Sequence, residues 1–299
     1  MNKDTIEESL QQEGLSSEPE ESAQKQEALS SEPEPGKSVQ KQETRSSEPV
    51  PRKAEQKQEE KTREQEFARY ARQTALPEIG LEGQEKLSRA RVLLVGVGGL
   101  GSPIALYLSC AGIGTLGLVD NDVVSLNNLQ RQVLYSEKEI GLPKAVCAKH
   151  RLQQLNTSVK IIAYNERLTP ENARSIISNY DIVVDGCDNF ATRFLLSDTC
   201  QELGIPYVYG AICGLEGQVT VFCHGPHPQP TYRTLFPDEE QTLRMPHPSK
   251  AVIGITPGVV GCVEAGEVLK LICGYGDSLV GKLWTIDLRT LQSYVIQLL

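Results

Sequence analysis

The sequence predicts an α/β protein built on a doubly wound, mainly parallel sheet. Three observations support this fold class. Short apolar runs rich in Val and Leu alternate with polar segments of helical spacing. The first of these runs ends in a cluster of glycines. The composition also changes sharply near residue 66, so that only residues 67–299 contain enough apolar side chains to form a core.

The first predicted strand and helix occupy residues 91–114. The apolar run RVLLVGVGGLG (91–101) predicts a strand that ends in a tight glycine turn. SPIALYLSCAGIG follows with the spacing of a helix and has Pro103 in its first turn. TLGLVD (115–120) is then predicted to be a second strand, parallel to the first, because a helix that crosses back over a sheet leads into a parallel strand.

The same alternation continues through the rest of residues 67–299. Further strands are predicted at 159–164, 181–186, 207–213 and 218–223, with helices at PKAVCAKHRLQQL, TPENARSIISNY and ATRFLLSDTCQELG. TPGVVGCVEAGEVLKLICG (256–274) predicts a long buried helix with Cys262 and Cys273 in the core. KLWTIDL and QSYVIQLL predict a C-terminal antiparallel hairpin.

Residues 1–66 are predicted to be a disordered, low-complexity tail. They include 10 apolar residues and no aromatic residue, and their net charge is −7. SAQKQEALSSEPEPGK (22–37) is repeated as SVQKQETRSSEPVPRK (38–53), a period of 16 residues. Each copy has too few apolar side chains to bury against its neighbour, so the repeats are not expected to stack.

Charge and hydropathy exclude several classes of protein. Residues 67–299 have a net charge of −2, so binding to nucleic acid is not expected. No apolar run reaches the ~20 residues of a membrane helix. Residues 1–15 lack the apolar segment of a signal peptide, and all eight cysteines lie singly without a C-x-x-C pair. A cytoplasmic protein with reduced thiols is therefore expected.

The glycine turn predicts a Rossmann-like nucleotide site. Gly96, Gly98 and Gly101 match G-x-G-x-x-G directly after a strand and at the start of a helix, where free N–H groups meet anionic oxygens. Asp120 lies nineteen residues after the last glycine, which suits an acceptor for a ribose hydroxyl. This motif alone is typical of NAD or FAD binding, and a glycine turn that only packs a helix on a strand is the structural alternative.

Three cations and one carboxylate favour ATP over a dinucleotide. A triphosphate brings about four negative charges, which guanidinium groups, an ammonium and a carboxylate-bound Mg²⁺ would neutralise. Taken singly, each such residue is typical of a surface ion pair. Their joint occurrence with the glycine loop predicts an ATP and Mg²⁺ site with Arg72, Arg131, Lys144 and Asp188.

The motifs together resemble the MoeB/ThiF branch of the ubiquitin-activating (E1-like) superfamily. The resemblance covers about 67–299 and rests on RYARQ, GVGGLGS, LVDNDVVSLNNLQRQ, GLPKA, VVDGCDN, RF, YVYGA and EGQVTVF, in this order. It implies a homodimeric adenylyltransferase. Such an enzyme joins AMP to the C-terminal glycine carboxylate of a small ubiquitin-like sulfur carrier ending in Gly-Gly, of the thiamine-thiazole or molybdopterin type, and releases pyrophosphate.

The resemblance also implies roles for residues at matching positions. Gly99 would lie against the phosphates, Asp120 would bind the ribose and Lys144 would meet the α-phosphate. Asn128 and Arg131 fall where the family contacts the triphosphate, and Asn127 beside them joins the nucleotide-binding set.

On the other side of the site, Asp188 would bind Mg²⁺ and support catalysis, with Asn189 beside it. Arg72 matches an arginine that the neighbouring subunit inserts into the ATP site.

Two departures from the family limit these expectations. Many relatives hold a structural zinc through two C-x-x-C pairs, but here Thr231 and Thr234 stand at the first pair and no second pair follows, so a zinc-free protein is expected. The loop from His224 to Pro257 also lacks the cysteine that some relatives use, and the matching position falls near His247. Cys187 is a possible substitute thiol; otherwise a separate sulfur donor would be required.

Three alternatives remain open at this stage. The chain could use the same fold and ATP chemistry on another substrate, such as a tRNA or a peptide. It could be a non-catalytic dimeric scaffold that binds partners through the tail and the dimer surface. It could also be an NAD-linked oxidoreductase, which a cofactor titration would separate from an ATP-dependent enzyme.

Overall fold

An eight-stranded sheet forms the centre of the protein in a computed structural model that describes residues 68–223, 229–246 and 251–298. The predicted tail, residues 1–66, lies outside the described residues. The strands are β1 (Arg91–Val95), β2 (Thr115–Val119), β3 (Lys160–Tyr164), β4 (Ile182–Asp185), β5 (Tyr207–Cys213), β6 (Glu216–Phe222), β7 (Lys282–Asp287) and β8 (Gln292–Gln297).

The spatial order of the strands is β3-β2-β1-β4-β5-β6-β7-β8. The first five strands of this order are parallel, whereas β6, β7 and β8 follow as antiparallel neighbours. The chain moves outward from β1 to β3 and then returns to place β4 on the other side of β1. The predicted doubly wound sheet with a C-terminal antiparallel extension is therefore confirmed.

Helices connect the strands. They are α1 (Gly80–Arg89), α2 (Gly101–Ala111), α3 (Lys144–Leu155), α4 (Pro170–Ile177), α5 (Phe190–Leu203), α6 (Tyr232–Leu235), α7 (Glu239–Arg244) and α8 (Ile255–Cys273), with short 3₁₀ turns at Leu126–Asn128 and Glu137–Glu139. Residues 68–74 are also helical. The sequence pattern predicted the helices between strands and α8, but not α1, α6 or α7.

Both faces of the central strands are buried. Leu93 and Val95 of β1 belong to a core cluster that includes side chains of α4 and α5, whereas Leu94 reaches α2 on the opposite face. Alternate residues of a strand point to opposite faces, so a strand covered on both sides is apolar throughout. This explains why the parallel strands are continuous runs of Val and Leu.

The long helix α8 crosses α2 closely. A Cβ placed on Gly261 would lie 2.6 Å from the carbonyl oxygen of Leu100, so only glycine fits at this crossing. Cys273 is buried as predicted, but Cys262 is exposed, and its placement in the core was wrong. The apolar pattern of the helix did not show which of its faces meets the sheet. Among the helices described, none is long and apolar enough to cross a lipid bilayer.

Candidate functional site

A cavity of about 490 Å³ opens at the carboxyl ends of the parallel strands. Strands β1 and β4 meet there, and the chain leaves them in opposite directions, which is where ligands bind in open α/β sheets. Its lining includes the predicted residues Gly96, Gly98, Gly99, Asp120, Arg131, Lys144, Asp188 and Asn189. Most of the predicted site is thus brought to one place.

The glycine loop contains two kinds of glycine. Gly96 has φ +89°, and a Cβ there would lie 2.6 Å from the backbone of Gly186; a Cβ on Gly101 would lie 2.1 Å from the Gly96 carbonyl oxygen. These two glycines are required by the packing of the backbone itself. Gly98 and Gly99 meet side chains instead of backbone, because a Cβ there would lie 3.5 Å from Nε2 of Gln132 and 3.3 Å from the Cβ of Pro257. The first is an ordinary contact and the second is tight, and both glycines line the cavity.

Asp120 fixes the glycine loop from the end of β2. Its Oδ2 accepts a hydrogen bond from the Val97 N–H at 2.8 Å, and its Oδ1 accepts one from the Asp122 N–H at 2.9 Å. Tyr135 holds the next peptide group of the loop, since its hydroxyl donates to the Val97 carbonyl at 2.7 Å. Burial raises the pKa of Asp120 above its ordinary value, while the two backbone donors oppose that effect.

Two of the three predicted cations reach the cavity. Lys144 begins α3 and is 5% exposed, with its Nζ 3.0 Å from Oδ2 of Asp122. Arg131 donates from Nη1 to the Asn127 carbonyl at 3.0 Å and has no carboxylate partner among the described residues. A guanidinium without a counter-ion at the rim of a cavity is available to an anionic ligand.

Asp188 lies in the loop between β4 and α5. It is exposed to the cavity and has no hydrogen-bond or ion-pair partner within the described part of the chain. Asn189, the next residue, caps α5 because its Oδ1 accepts from the Thr192 N–H at 2.9 Å. The cap orders this loop and leaves the Asp188 carboxylate free.

A buried ion pair, which the sequence did not indicate, supports that loop from below. Asp185 is fully buried and accepts from Arg193 Nε at 2.9 Å and from the Tyr207 hydroxyl at 3.0 Å. Its other oxygen accepts from the Cys187 N–H at 2.7 Å, and Arg193 Nη2 donates to the Cys187 carbonyl at 2.8 Å. The pair therefore fixes both ends of the residue that precedes Asp188. Arg193 is the arginine of the RF motif that the family resemblance includes, but nothing in the sequence predicts that it pairs with Asp185.

Cys187, the thiol suggested as a substitute nucleophile, is buried. Its Sγ donates to the Val95 carbonyl at 3.2 Å. Burial raises the pKa of this thiol well above its ordinary value, with Asp185 adding to the effect. Because the thiolate is the reactive form of cysteine, this environment favours an inert thiol.

Four of the predicted residues do not line the cavity, and one of them is Gly101, which packs against the Gly96 backbone. Asn127 and Asn128 lie on the exposed 3₁₀ turn beside it. Arg72 lies on the helix at 68–74, where Gln73 donates to the Ala111 carbonyl at the end of α2. Since α2 begins at the cavity and ends on the far side of the sheet, Arg72 does not reach the cavity of its own chain. Arg131 and Lys144 are thus the two predicted cations that line the cavity of one chain, and the action of Arg72 in a partner's cavity stays a prediction.

The predicted zinc position contains a helix cap. Thr231 and Thr234 form a reciprocal capping box at the start of α6, with the Thr231 N–H donating to Thr234 Oγ1 at 3.0 Å. His247 lies outside the described residues. Among those that are described, no group of three or more His, Cys, Asp or Glu side chains is placed to hold a metal ion. The absence of zinc stays a prediction.

Comparisons with known proteins agree on one family. A model of the ThiF family matches residues 70–298. The sulfur carrier protein adenylyltransferase of Thermus thermophilus is 48% identical over 75% of this chain and 84% of its own length. The adenylyltransferase and sulfurtransferase MOCS3-1 of Zea mays is 44% identical over 77% of this chain, and the matched part spans about half (49%) of the maize protein.

A solved structure shows the same fold. The crystal structure of E. coli MccB with ATP superposes with a TM-score of 0.64 at 24% identity, over 72% of this chain and 66% of MccB. At this identity the likeness concerns the fold alone.

Proposed function

Because the chain belongs to the ThiF family, we propose that it is an ATP-dependent adenylyltransferase that activates the C-terminal glycine carboxylate of a small ubiquitin-like sulfur-carrier protein. The relative from Thermus thermophilus bears the name of this activity. The observation that carries the proposal is the cavity at the glycine loop, where Arg131, Lys144 and Asp188 converge. Two cations and an unpaired carboxylate suit a triphosphate with its metal ion better than they suit a dinucleotide.

The chemistry requires positioning and neutralisation of charge. An oxygen of the carrier's terminal carboxylate attacks the α-phosphorus of ATP, the bond from this phosphorus to the bridging oxygen breaks, and pyrophosphate leaves. The product is an acyl-adenylate, a mixed anhydride that a sulfur nucleophile can open later. The attacking group belongs to the substrate, so the enzyme needs no nucleophile of its own for this step. Preorganised charges then supply most of the catalysis.

Each residue in the cavity has a role in this proposal. Gly98 and Gly99 allow the phosphates to approach the backbone, and Asp120 accepts from the ribose. Lys144 is the donor to the α-phosphate, as the family resemblance implies, and its position at the start of α3 in the cavity lining is compatible with that role. Arg131, which has no counter-ion in the described chain, contacts the outer phosphates, with Asn127 and Asn128 on the adjacent turn.

We assign Mg²⁺ to Asp188. This carboxylate faces the cavity without a partner among the described residues, and Mg²⁺ is commonly held by one or two carboxylates together with substrate phosphates. When bound, the ion would neutralise charge on the phosphates as pyrophosphate leaves. Asn189 keeps the loop in place by capping α5.

The active form we propose is a homodimer in which Arg72 enters the partner's cavity. Its helix lies too far from the cavity of its own chain, as shown above. Large apolar side chains are exposed on the segments beside the cavity, among them Leu126 (66%), Val133 (65%) and Ile253 (55%). Exposed apolar residues grouped in this way are typical of an interface between proteins.

Sulfur transfer belongs to a separate donor in this proposal, since Cys187 is buried.

The location we propose is the cytoplasm, because all eight cysteines are unpaired thiols and reducing compartments maintain that state. The carrier, of the thiamine-thiazole or molybdopterin type, is to be identified by experiment.

The test is exchange of labelled pyrophosphate into ATP in the presence of candidate carriers that end in Gly-Gly. We expect exchange that depends on the carrier, and Asp188→Ala should abolish it. Asp277→Ala is the matched control, because Asp277 is an exposed acid that does not line the cavity. Carrier-dependent exchange in Asp188→Ala at the wild-type rate would contradict the assignment of Asp188.

The role of Arg72 is tested by mixing two inactive variants. Arg72→Ala and Asp188→Ala chains should each fail alone, whereas a mixed dimer contains one complete site. Random mixing would then restore about a quarter of the wild-type activity. If Arg72→Ala alone retains full exchange, the arginine does not act in the site at all.

A further inference from the structure

Arg167 is a cation of the cavity that the sequence motifs do not indicate. It lies in the loop between β3 and α4, is exposed, and belongs to the lining of the cavity. Its guanidinium group has no hydrogen-bond or ion-pair partner within the described part of the chain, and the adjacent acid, Glu166, instead accepts from Asn172 Nδ2 at 2.9 Å. A guanidinium that borders a cavity without a protein partner is available to a ligand.

The protein holds the backbone around Arg167 in place. Asn172 Nδ2 also donates to the Arg167 carbonyl at 3.0 Å, and Asn172 forms a capping box with Thr169 at the start of α4. The next residue along the chain, Leu168, is 6% exposed and belongs to the core cluster. The loop is therefore anchored on both sides of Arg167, whereas the side chain of Arg167 itself remains unpaired.

The order of the strands places this loop relative to the nucleotide. Neighbouring strands lie about 4.8 Å apart, and the order β3-β2-β1 leads from the loop of Arg167 to Asp120 and then to the glycine loop. The Asp120 N–H donates to the Tyr164 carbonyl at 3.2 Å, which joins the ends of β2 and β3. With the phosphates on the glycine loop and the ribose at Asp120, the base extends toward Arg167.

We propose that Arg167 binds the adenine base of ATP by stacking its guanidinium plane on the ring. This inference rests on the proposed use of ATP. The anionic groups of the reaction, which are the phosphates and the attacking carboxylate, meet at the α-phosphorus on the glycine loop, and β1 lies two strands away from β3. The base is the part of the nucleotide on the side of β3, and a planar guanidinium stacks on the π face of a base.

The test compares the binding of three ligands to the full chain by titration calorimetry: ATP, AMP, and ribose 5′-triphosphate, which has the phosphates but no base. Arg167→Ala should weaken the binding of ATP and AMP by the same factor, about fivefold, and should leave the binding of ribose 5′-triphosphate unchanged. Unchanged binding of ATP would overturn the proposal. A loss for ATP and ribose 5′-triphosphate without a loss for AMP would assign Arg167 to the outer phosphates and would overturn it as well.

Two further variants sharpen the test. Arg167→Lys retains the positive charge but not the planar group, so it should also bind ATP more weakly than the wild type; wild-type affinity in this variant would show an ionic contact and contradict stacking. Arg151→Ala makes the same change as Arg167→Ala at an exposed arginine of α3 outside the cavity and should leave the binding of all three ligands unchanged. If the wild type does not bind ATP, the proposed function fails; if it binds ATP and Arg167→Ala has no effect, only this inference fails.

Discussion

The Glu264→Gln variant should gain stability relative to the wild type as the pH rises from acid to neutral. Glu264 lies on α8 and is fully buried against Gly210 of β5, with both carboxyl oxygens unpaired among the described residues. Burial raises the pKa of Glu264 well above its ordinary value; Asp185 adds to this effect, and Arg193 opposes it. The folded protein therefore retains a proton that the unfolded chain releases.

The sign of the pH dependence follows from this proton. Below the pKa of the unfolded chain, about 4.3, both states bind the proton and Glu264 has no pH-dependent effect. Between that value and the raised pKa of the folded state, the free energy of unfolding falls by about 1.4 kcal/mol per pH unit. Two pH units in this window amount to about 2.7 kcal/mol, a large part of the 5–15 kcal/mol that typically stabilises a domain. Glutamine has the same shape and does not titrate, so this contribution vanishes in Glu264→Gln.

Thermal unfolding of both proteins across pH 5.5–7.5 measures the effect. The difference in Tm should widen with pH as long as the pH stays below the raised pKa of Glu264, by about 3–5 °C per pH unit for a domain of this size. Glu267→Gln is the matched control, because Glu267 is equally buried on the same helix but accepts from Lys270 Nζ at 2.6 Å and from the Leu279 N–H at 2.7 Å. That variant loses satisfied hydrogen bonds and should be less stable than the wild type by about 1–3 kcal/mol. Parallel pH profiles for the wild type and Glu264→Gln would refute the reasoning.

Two more predictions concern the loops around the cavity. Gly98→Ala should fold normally but lose ATP-induced stabilisation. Gly96→Ala should not fold stably, because its Cβ would meet the Gly186 backbone at 2.6 Å. Thermal unfolding with and without ATP distinguishes the two outcomes. Asp185→Asn should lower the free energy of unfolding by about 3–5 kcal/mol, since it leaves the buried Arg193 without its counter-ion, and denaturant titration would detect this loss. A loss below about 1 kcal/mol would contradict the assignment of Asp185 as the counter-ion that Arg193 requires.

The sheet could be predicted from the sequence because its strands are buried on both faces. A strand such as RVLLV has no polar face, so it is recognisable without knowledge of its neighbours. The short helices α6 and α7 escaped prediction for the opposite reason. They have only four and six residues and are defined by caps at Thr231 and Asp238, a signal too local to be separated from turns in a Pro-rich segment.

The candidate site was predictable where a residue acts through its position next to a strand. Gly96 and Asp120 directly follow β1 and β2, and Asp188 comes three residues after the end of β4, so their convergence follows from the order of parallel strands. Arg193 and Glu264 could not be assigned in this way. Their effect depends on which helix face turns inward, and the sequence around Glu264 would equally fit a helix with its acids in solvent.

The polar groups around the cavity divide into two sets by whether the protein itself satisfies them. Asp185, Arg193 and Tyr135 use their hydrogen bonds within the chain and fix the two loops from below. Asp188 borders the same cavity, and its carboxylate is exposed and has no partner among the described residues. The buried Asp185 is satisfied completely by Arg193, Tyr207 and the Cys187 N–H, so its role is to hold the loop, whereas the Asp188 carboxylate is free to contact a ligand or its metal ion. The two acids are therefore expected to differ in the property that their loss impairs: Asp185→Asn should lower stability, and Asp188→Ala should abolish exchange while leaving the free energy of unfolding close to that of the wild type.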